Sequence, residues 1–231
     1  MGSTGRLVPS TTGQEAEWIA KCIEKPWSGT PHANYVASII PSGFQGYARI
    51  FHPAKGPDGS EVTWAEVARR HGRVPHAEMQ WDAIAQGSNC QPPTTGTLPI
   101  TQARAMADIL RRFTATPSEV YFAVWDGWGM ASPLYAKQTV PLLKLPDRDY
   151  NLMKGPLWSA FETGGLWPLP GASLWWPKDR AWFVATEVDF AWTYVGGTLS
   201  CIEAILADPR LEAWKASLSD RADCGGDRVN M

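Results

Sequence analysis

Glu187 and Asp189 are the residues of this chain whose types and spacing most readily suggest chemistry. They lie in Asp179–Trp192, a run that alternates. Trp182, Val184, Thr186, Val188, Phe190 and Trp192 share one face of a strand, and Phe183, Ala185, Glu187 and Asp189 share the other. On such a strand the two acids have Cα atoms about 6.5–7 Å apart, a separation from which carboxylates can bind a metal or divide acid and base roles. Glycosidases place two carboxyl groups roughly 5–5.5 or 6.5–9.5 Å apart. The neighbouring Trp175 and Trp176 would supply an aromatic floor for a sugar, and Asp179 and Arg180 lead into the strand. The plainer reading is that Arg180 or another cation neutralises the acids, or that their face is solvated. Acidic pairs on strands are common, and no third ligand stands at a recognisable spacing.

Gly196-Gly197-Thr198 offers a second, weaker site. Backbone N–H groups at a helix N-terminus attract anions, but only two glycines occur and no Lys follows, so a tight turn with a helix cap explains the segment as well. His71 and His76 flank a predicted helix end and match no zinc motif. His32 and His52 sit beside Pro31 and Pro53 and could meet across a hairpin as a polar pair. Cys22, Cys90, Cys201 and Cys224 form no CxxC pair, so thiols rather than metal ligands are expected, with Cys22 and Cys201 as small core residues. GxSxG, P-loop, GxGxxG and HExxH motifs are absent. No metal or cofactor is implied.

Composition narrows the classes further. The chain has 231 residues, with 21 Lys plus Arg against 23 Asp plus Glu, and a formal charge of −2 that argues against a nucleic-acid backbone or an anionic membrane as partner. Its 44% hydrophobic content opposes disorder, and its apolar runs are far short of the roughly 20 residues a membrane span requires. The start, MGSTGRLVPSTTGQEAEW, has no apolar core of a secretory signal. Gly2 alone does not make a lipid anchor. A cytoplasmic protein with reduced thiols is the expectation. A chain of this length folds to roughly 10,000 Å² from about 37,000 Å² unfolded, so neither disulfide nor metal is needed for stability. The count of 13 tryptophans stands out.

The elements that must position these residues are mixed. Thr12-x-x-Glu15 is a capping box for a helix over about 14–25, which Pro26 stops. Asn34–Ile40 and Gly46–His52 read as a hairpin across Pro41-Ser-Gly. Thr63-x-x-Glu66 opens a helix ending near His71-Gly72, and Thr101–Phe113 is an amphipathic helix. Glu119–Trp125 is a strand, and Val140–Lys144 and Tyr150–Met153 are shorter ones. Pro156–Glu162 is a helical turn, and Gln86–Pro99 and Gly164–Ala172 are loops. Tyr194-Val-Gly-Gly-Thr turns into a helix over Leu199–Ala207 with Ser200-x-x-Glu203 as its capping box, and Leu211–Leu218 is a strand or helix. The irregular order predicts one α+β domain over 14–218 with a mixed or mainly antiparallel sheet, a disordered tail at 1–13 and a frayed one at 219–231.

The segments LWWPKDRAWFVATEVDFAWTYVGGT, NYVASIIPSGFQGYARIFHPA and EVYFAVWDGWG, within about residues 34–215, resemble a family of uncharacterised actinobacterial proteins. That resemblance implies no activity, cofactor or catalytic residue. Two readings of function follow. One is a non-enzymatic interaction or regulatory protein of the immunity type, binding a protein partner through a Trp-rich surface. The other is a small hydrolase or ligand-binding protein with a carboxylate pair beside a Trp-lined pocket. Trp18, Trp182 and Trp192 fall on faces that folding alone explains, whereas Trp167, Trp175 and Trp176 flank a Pro/Gly loop and lead into the acidic run. Self-association is compatible with either reading.

Overall fold

Two runs, Val120–Trp125 and Leu174–Pro177, are apolar at nearly every position, which suits strands covered on both faces. In the computed structural model, which describes residues 7–25, 34–128, 141–146, 148–160 and 171–231 apart from the side chains of Trp128 and Ala160, they lie near the middle of a large sheet. In chain order the strands are β1 (Val8–Pro9), β2 (Gly46–Phe51), β3 (Ala54–Lys55), β4 (Glu61–Val62), β5 (Val120–Trp125), β6 (Leu142–Lys144), β7 (Asp149–Gly155), β8 (Leu174–Pro177), β9 (Phe183–Ala185), β10 (Trp192–Gly197) and β11 (Glu212–Ala216). The helices are α1 (Glu17–Cys22), α2 (Trp64–Arg70), α3 (Trp81–Ile84), α4 (Ile100–Leu110) and α5 (Leu199–Leu206). Nine strands form one sheet in the order β1-β7-β5-β8-β9-β10-β2-β11, with β6 also on β7 and β3-β4 as a separate pair. Each pairing between these strands is antiparallel. The domain is therefore α+β, with an antiparallel sheet.

Helices cover both faces. On one, α4 and α5 pack with Phe122, Trp175, Trp182, Val184 and Val195. On the other, α1, α2 and α3 pack with Tyr121, Trp176, Phe183, Trp192 and Tyr194. Adjacent residues of one strand thus enter different cores, and burying each large side chain is worth about 1.5–3 kcal/mol.

Several expectations are corrected. Residues 34–40 are not a strand. Val36–Ser38 is a 3₁₀ turn, because the N–H groups of Val36 and Ala37 donate to Asp220 and Leu218 carbonyls, 3.0 and 3.1 Å away, instead of to β2. β2 pairs with β10 and β11. The Asp179–Trp192 strand is broken after Ala185. The Asp189 N–H donates to Glu187 Oε2 at 2.8 Å and the Phe190 N–H to the Glu187 carbonyl at 3.0 Å, a local turn that replaces the ladder. Val195-Gly196-Gly197 continues β10 rather than turning, and a Cβ on Gly196 would stand 2.6 Å from the Phe44 ring. Thr198, not Ser200, caps α5, accepting from the Cys201 N–H.

Other elements match. Thr63 caps α2 by accepting from the Glu66 N–H, α4 and the 3₁₀ turn Arg111–Phe113 fill the amphipathic segment, and Leu211–Leu218 resolves to strand β11. Thr12 bonds Glu15 through side chains, and helical structure there ends at Cys22. Residues assigned to tails are placed: β1 pairs with β7, and Ala222, Asp223, Asp227 and Asn230 are buried. Trp167, His32 and most of the Gly164–Ala172 loop lie outside the described residues.

His52 lies wholly buried beside β10. The Thr94 carbonyl can only accept, so the ring donates from Nδ1 at 2.7 Å, while Nε2 accepts from the Thr193 hydroxyl at 2.9 Å. The Thr193 oxygen is 2.7 Å from Thr186 Oγ1. Burial, outweighing the Thr94 bond, lowers the imidazole pKa to about 4 from 6.5. Between those values the unfolded chain binds a proton that the folded chain refuses. The stabilisation is complete above pH 6.5 and is lost as pH falls toward 4, by about 3 kcal/mol in all. We expect urea unfolding to show this loss in the wild type and a flatter profile in His52→Gln. A His52 ring titrating near pH 6.5 by NMR would contradict it.

Candidate functional site

The residues singled out by sequence do not converge. Trp175 and Trp176 are both buried, on opposite faces of β8. Trp176 stacks on Tyr121 and Phe183 with centroids 5.6 and 5.7 Å away, and Trp175 meets Trp182 edge-on at 6.4 Å. Both are core rings rather than a sugar floor. Asp179 accepts from the Thr114 hydroxyl at 2.8 Å and from the Ala115 N–H at 2.7 Å, tying the segment before β5 to the β8–β9 turn. Arg180 occupies that turn with a left-handed φ of 56° and sets its guanidinium 5.2 Å from the Trp18 ring.

Glu187 and Asp189 sit in the β9–β10 connection, and Arg148, not Arg180, joins them. Arg148 Nε pairs with Glu187 Oε1, and its Nη2 lies 3.1 Å from Asp189 Oδ2. The Glu187 side chain is 9% exposed and that of Asp189 79%, so one acid is structural and the other reaches solvent. Two carboxylates sharing one guanidinium are poorly placed to act as acid and base. At Gly196-Gly197-Thr198 the donors are engaged: Leu199 N–H donates to Gln45 Oε1 and Cys201 N–H to Thr198. Among the described residues no group of three or more His, Cys, Asp or Glu could hold a metal ion. Nor is any helix among them long and apolar enough to cross a membrane. The Cys201 thiol is pushed up to about 12 by burial, which suits a core residue.

A cleft of about 950 Å³, lined in part by Asp189, opens between α3, the Pro92-Pro93 loop, the start of β10 and the segment after β11. Its size lies within the range of small-molecule sites, roughly 300–1,000 Å³. Trp81, Phe190 and Trp192 supply its rings, and Gln80, Asp82 and Asn230 some of its polar groups. Asp82 has no hydrogen-bonding or ionic partner among the described residues. Sequence analysis missed this site because its walls come from distant segments of chain with no shared spacing. Asp189 in its lining and the density of tryptophan were the signals the sequence held.

The wall carrying Gln80 and Trp81 is set by Arg49. This arginine, 2% exposed on β2, points under the loop before α3. Its Nη1 donates to the Ala77 carbonyl at 2.8 Å and its Nη2 to the Met79 carbonyl at 3.2 Å. Its guanidinium lies 3.9 Å from the Trp192 ring and 4.4 Å from Phe51. Burial lowers its pKa to about 10, so the charge persists at neutral pH. Phe190 stacks on Trp192 at 4.3 Å. Trp64 fixes the adjoining edge, donating its indole N–H to the His52 carbonyl at 2.7 Å. Glu212 accepts from the N–H groups of Trp64 and Ala65 at 2.6 and 2.7 Å at the start of α2. Burial raises the Glu212 pKa even so.

The opposite wall centres on Asp227. It accepts from the N–H groups of Gln80 at 3.1 Å and Asn230 at 2.8 Å, and lies 2.9 Å from His76 Nε2. Burial works to raise its pKa, but the bonds from Asn230, Gln80 and His76 outweigh it and hold the carboxyl below its ordinary value. His76 is thus a partner of this carboxylate and not part of a metal set with His71.

No family model, curated protein or solved structure matches the chain. The Arg148 contacts predict unequal responses of the two acids. Glu187→Gln should lower stability by about 1–3 kcal/mol, as expected when a buried charge loses its partner, and Asp189→Asn by under about 1 kcal/mol, both read from urea unfolding. Equal losses, or none at Glu187, would contradict this assignment.

Proposed function

We propose that the protein is a non-enzymatic recognition or regulatory protein of the cytoplasm that binds a small amphipathic ligand, or the side chain of a partner, in the cleft beside Trp81. The observation that carries this reading is the convergence of the half-buried Trp81 and the ring of Phe190 with polar groups from α3 and the segment after β11 around one concavity. The expected Trp-rich surface gives way to a more local feature. Trp64, Trp175, Trp176, Trp182 and Trp192 are buried, and Trp158 is the large exposed tryptophan among the described residues, at 42%. The ligand-binding half of the alternative reading therefore moves to this cleft. Its hydrolytic half loses support, because Arg148 joins both acids. Kinship with the actinobacterial family belongs to the same proposal and adds no activity to it.

The test is fluorescence titration with 8-anilinonaphthalene-1-sulfonate, an amphipathic probe. We expect saturable binding at one site and a roughly tenfold weaker affinity in Trp81→Ala, the upper end of one aromatic contact. Failure of the probe to saturate, or unchanged affinity in a folded Trp81→Ala, would overturn the proposal.

A further inference from the structure

The segment after β11 forms one wall of the cleft through Cys224, Gly225, Asp227, Asn230 and Met231. It is attached in an unusual way. Its large apolar side chains do not anchor it: Val229 is 56% exposed and Met231 89%. Polar contacts do, and they go to one short stretch of chain, residues 73–80. Asp227 takes the Gln80 N–H and the His76 ring, as described above. Asn230 Oδ1 accepts from the Val74 N–H at 2.9 Å, its Nδ2 donates to the Val74 carbonyl at 3.1 Å, and Arg73 Nη1 reaches the Asn230 carbonyl at 3.4 Å. Nearer to β11 the same stretch is also met, the Arg221 N–H donating to Glu78 Oε1 at 3.0 Å and Gln80 Nε2 to the Asp223 carbonyl at 3.3 Å, but further anchors are added. The Asn34 N–H donates to Asp223 Oδ2 at 2.8 Å, Arg221 Nη2 binds Asp223, and Ala222 is wholly buried. Gly225 and Gly226 follow, their N–H groups donating to Asp223 Oδ1 and to the Asp223 carbonyl at 3.1 and 3.0 Å, so the proximal anchorage ends at Gly226.

We propose that residues 225–231 are a strap forming a movable wall of the cleft, latched by Asp227 and Asn230 to residues 73–80, whose release widens the cleft for the ligand. The inference rests on the cleft being the binding site. Its physical basis is the contrast between the two anchorages. Segments held by few apolar contacts open locally at a small fraction of the global unfolding free energy, and with Asp223 holding both glycine N–H groups, the part beyond Gly226 is what moves when Asp227 and Asn230 let go. The strap also touches the element carrying Gln80 and Trp81, so latching and the shape of the ring-bearing wall are linked.

The test combines hydrogen exchange with stopped-flow binding of 8-anilinonaphthalene-1-sulfonate to the full chain, comparing wild type with Asp227→Ala and the milder Asn230→Ala. Amides of 227–230 should exchange at least tenfold faster in both variants while those of α4 and β10 keep their protection, and probe association should speed up severalfold. Accelerated exchange throughout, or strap exchange that rises without any change in probe association, would overturn the strap while leaving the cleft reading intact. If Asp227→Ala fails to fold, the same criteria apply to Asn230→Ala. Absence of probe binding in the wild type would overturn both.

Discussion

A guanidinium buried with no carboxylate in contact among the described residues governs the architecture around the cleft. Moving an ion of this kind out of water costs several kcal/mol even after relaxation, so Arg49 is tolerable only because its surroundings are built for it. Two backbone carbonyls, Ala77 and Met79, take its Nη donors, two aromatic rings lie against it, and Glu78, Asp220 and Asp227 lower its energy from farther away. Among the described residues its Nε has no acceptor. The dependence runs both ways. The loop over 77–79 has few backbone bonds of its own and takes its position from Arg49, and α3 begins two residues later at Trp81. Tyr194 and Trp214, in register with Arg49 on β10 and β11, hold its strand from either side.

Tryptophan is the material of this arrangement. Trp192 lies between Arg49 and Phe190, Trp64 packs against Phe51 at 4.5 Å and meets Trp81 and Trp192 edge-on, and Trp176 joins Tyr121 to Phe183 across three strands. Such pairs add about 0.5–1.5 kcal/mol each beyond their buried area. A sheet covered on both faces must fill two cores from strands as short as two or three residues. Wide, flat side chains at adjacent positions do this, which is why Trp175 and Trp176 serve different cores.

What could be read from sequence was what local pattern controls. The continuous apolar run at 120–125 marked a strand, the 3.6-residue stripe at 101–113 marked α4, and Thr63 marked a cap, because each depends on neighbours within a few residues; the four-residue strand at 174–177 was not read as one. The α+β class followed from their order. What escaped was set by distant partners. Residues 34–40 carry β-forming side chains, but Asp220 and Leu218 capture their backbone donors. Alternation continued through 186–191 although Glu187 turns toward Arg148, 39 positions away by residue number. The segment after 219 is polar and looks frayed in isolation. It is ordered because Asp223 and Asp227 meet Asn34 and Gln80, 189 and 147 residues away. The cleft is a product of those long-range bonds, so no motif announces it.

The central claim is that Arg49 positions the cleft wall, and hydrogen exchange on Arg49→Met tests it most directly. The apolar replacement keeps the packing against Phe51 and Trp192 but releases the Ala77 and Met79 carbonyls. We expect amides of residues 77–84 to lose protection by at least about tenfold, with Gln80 and the Asp227 segment following, while β5 and β7, on the far side of the sheet, exchange as in the wild type. Unchanged protection at 77–84 in a folded Arg49→Met protein would contradict the claim.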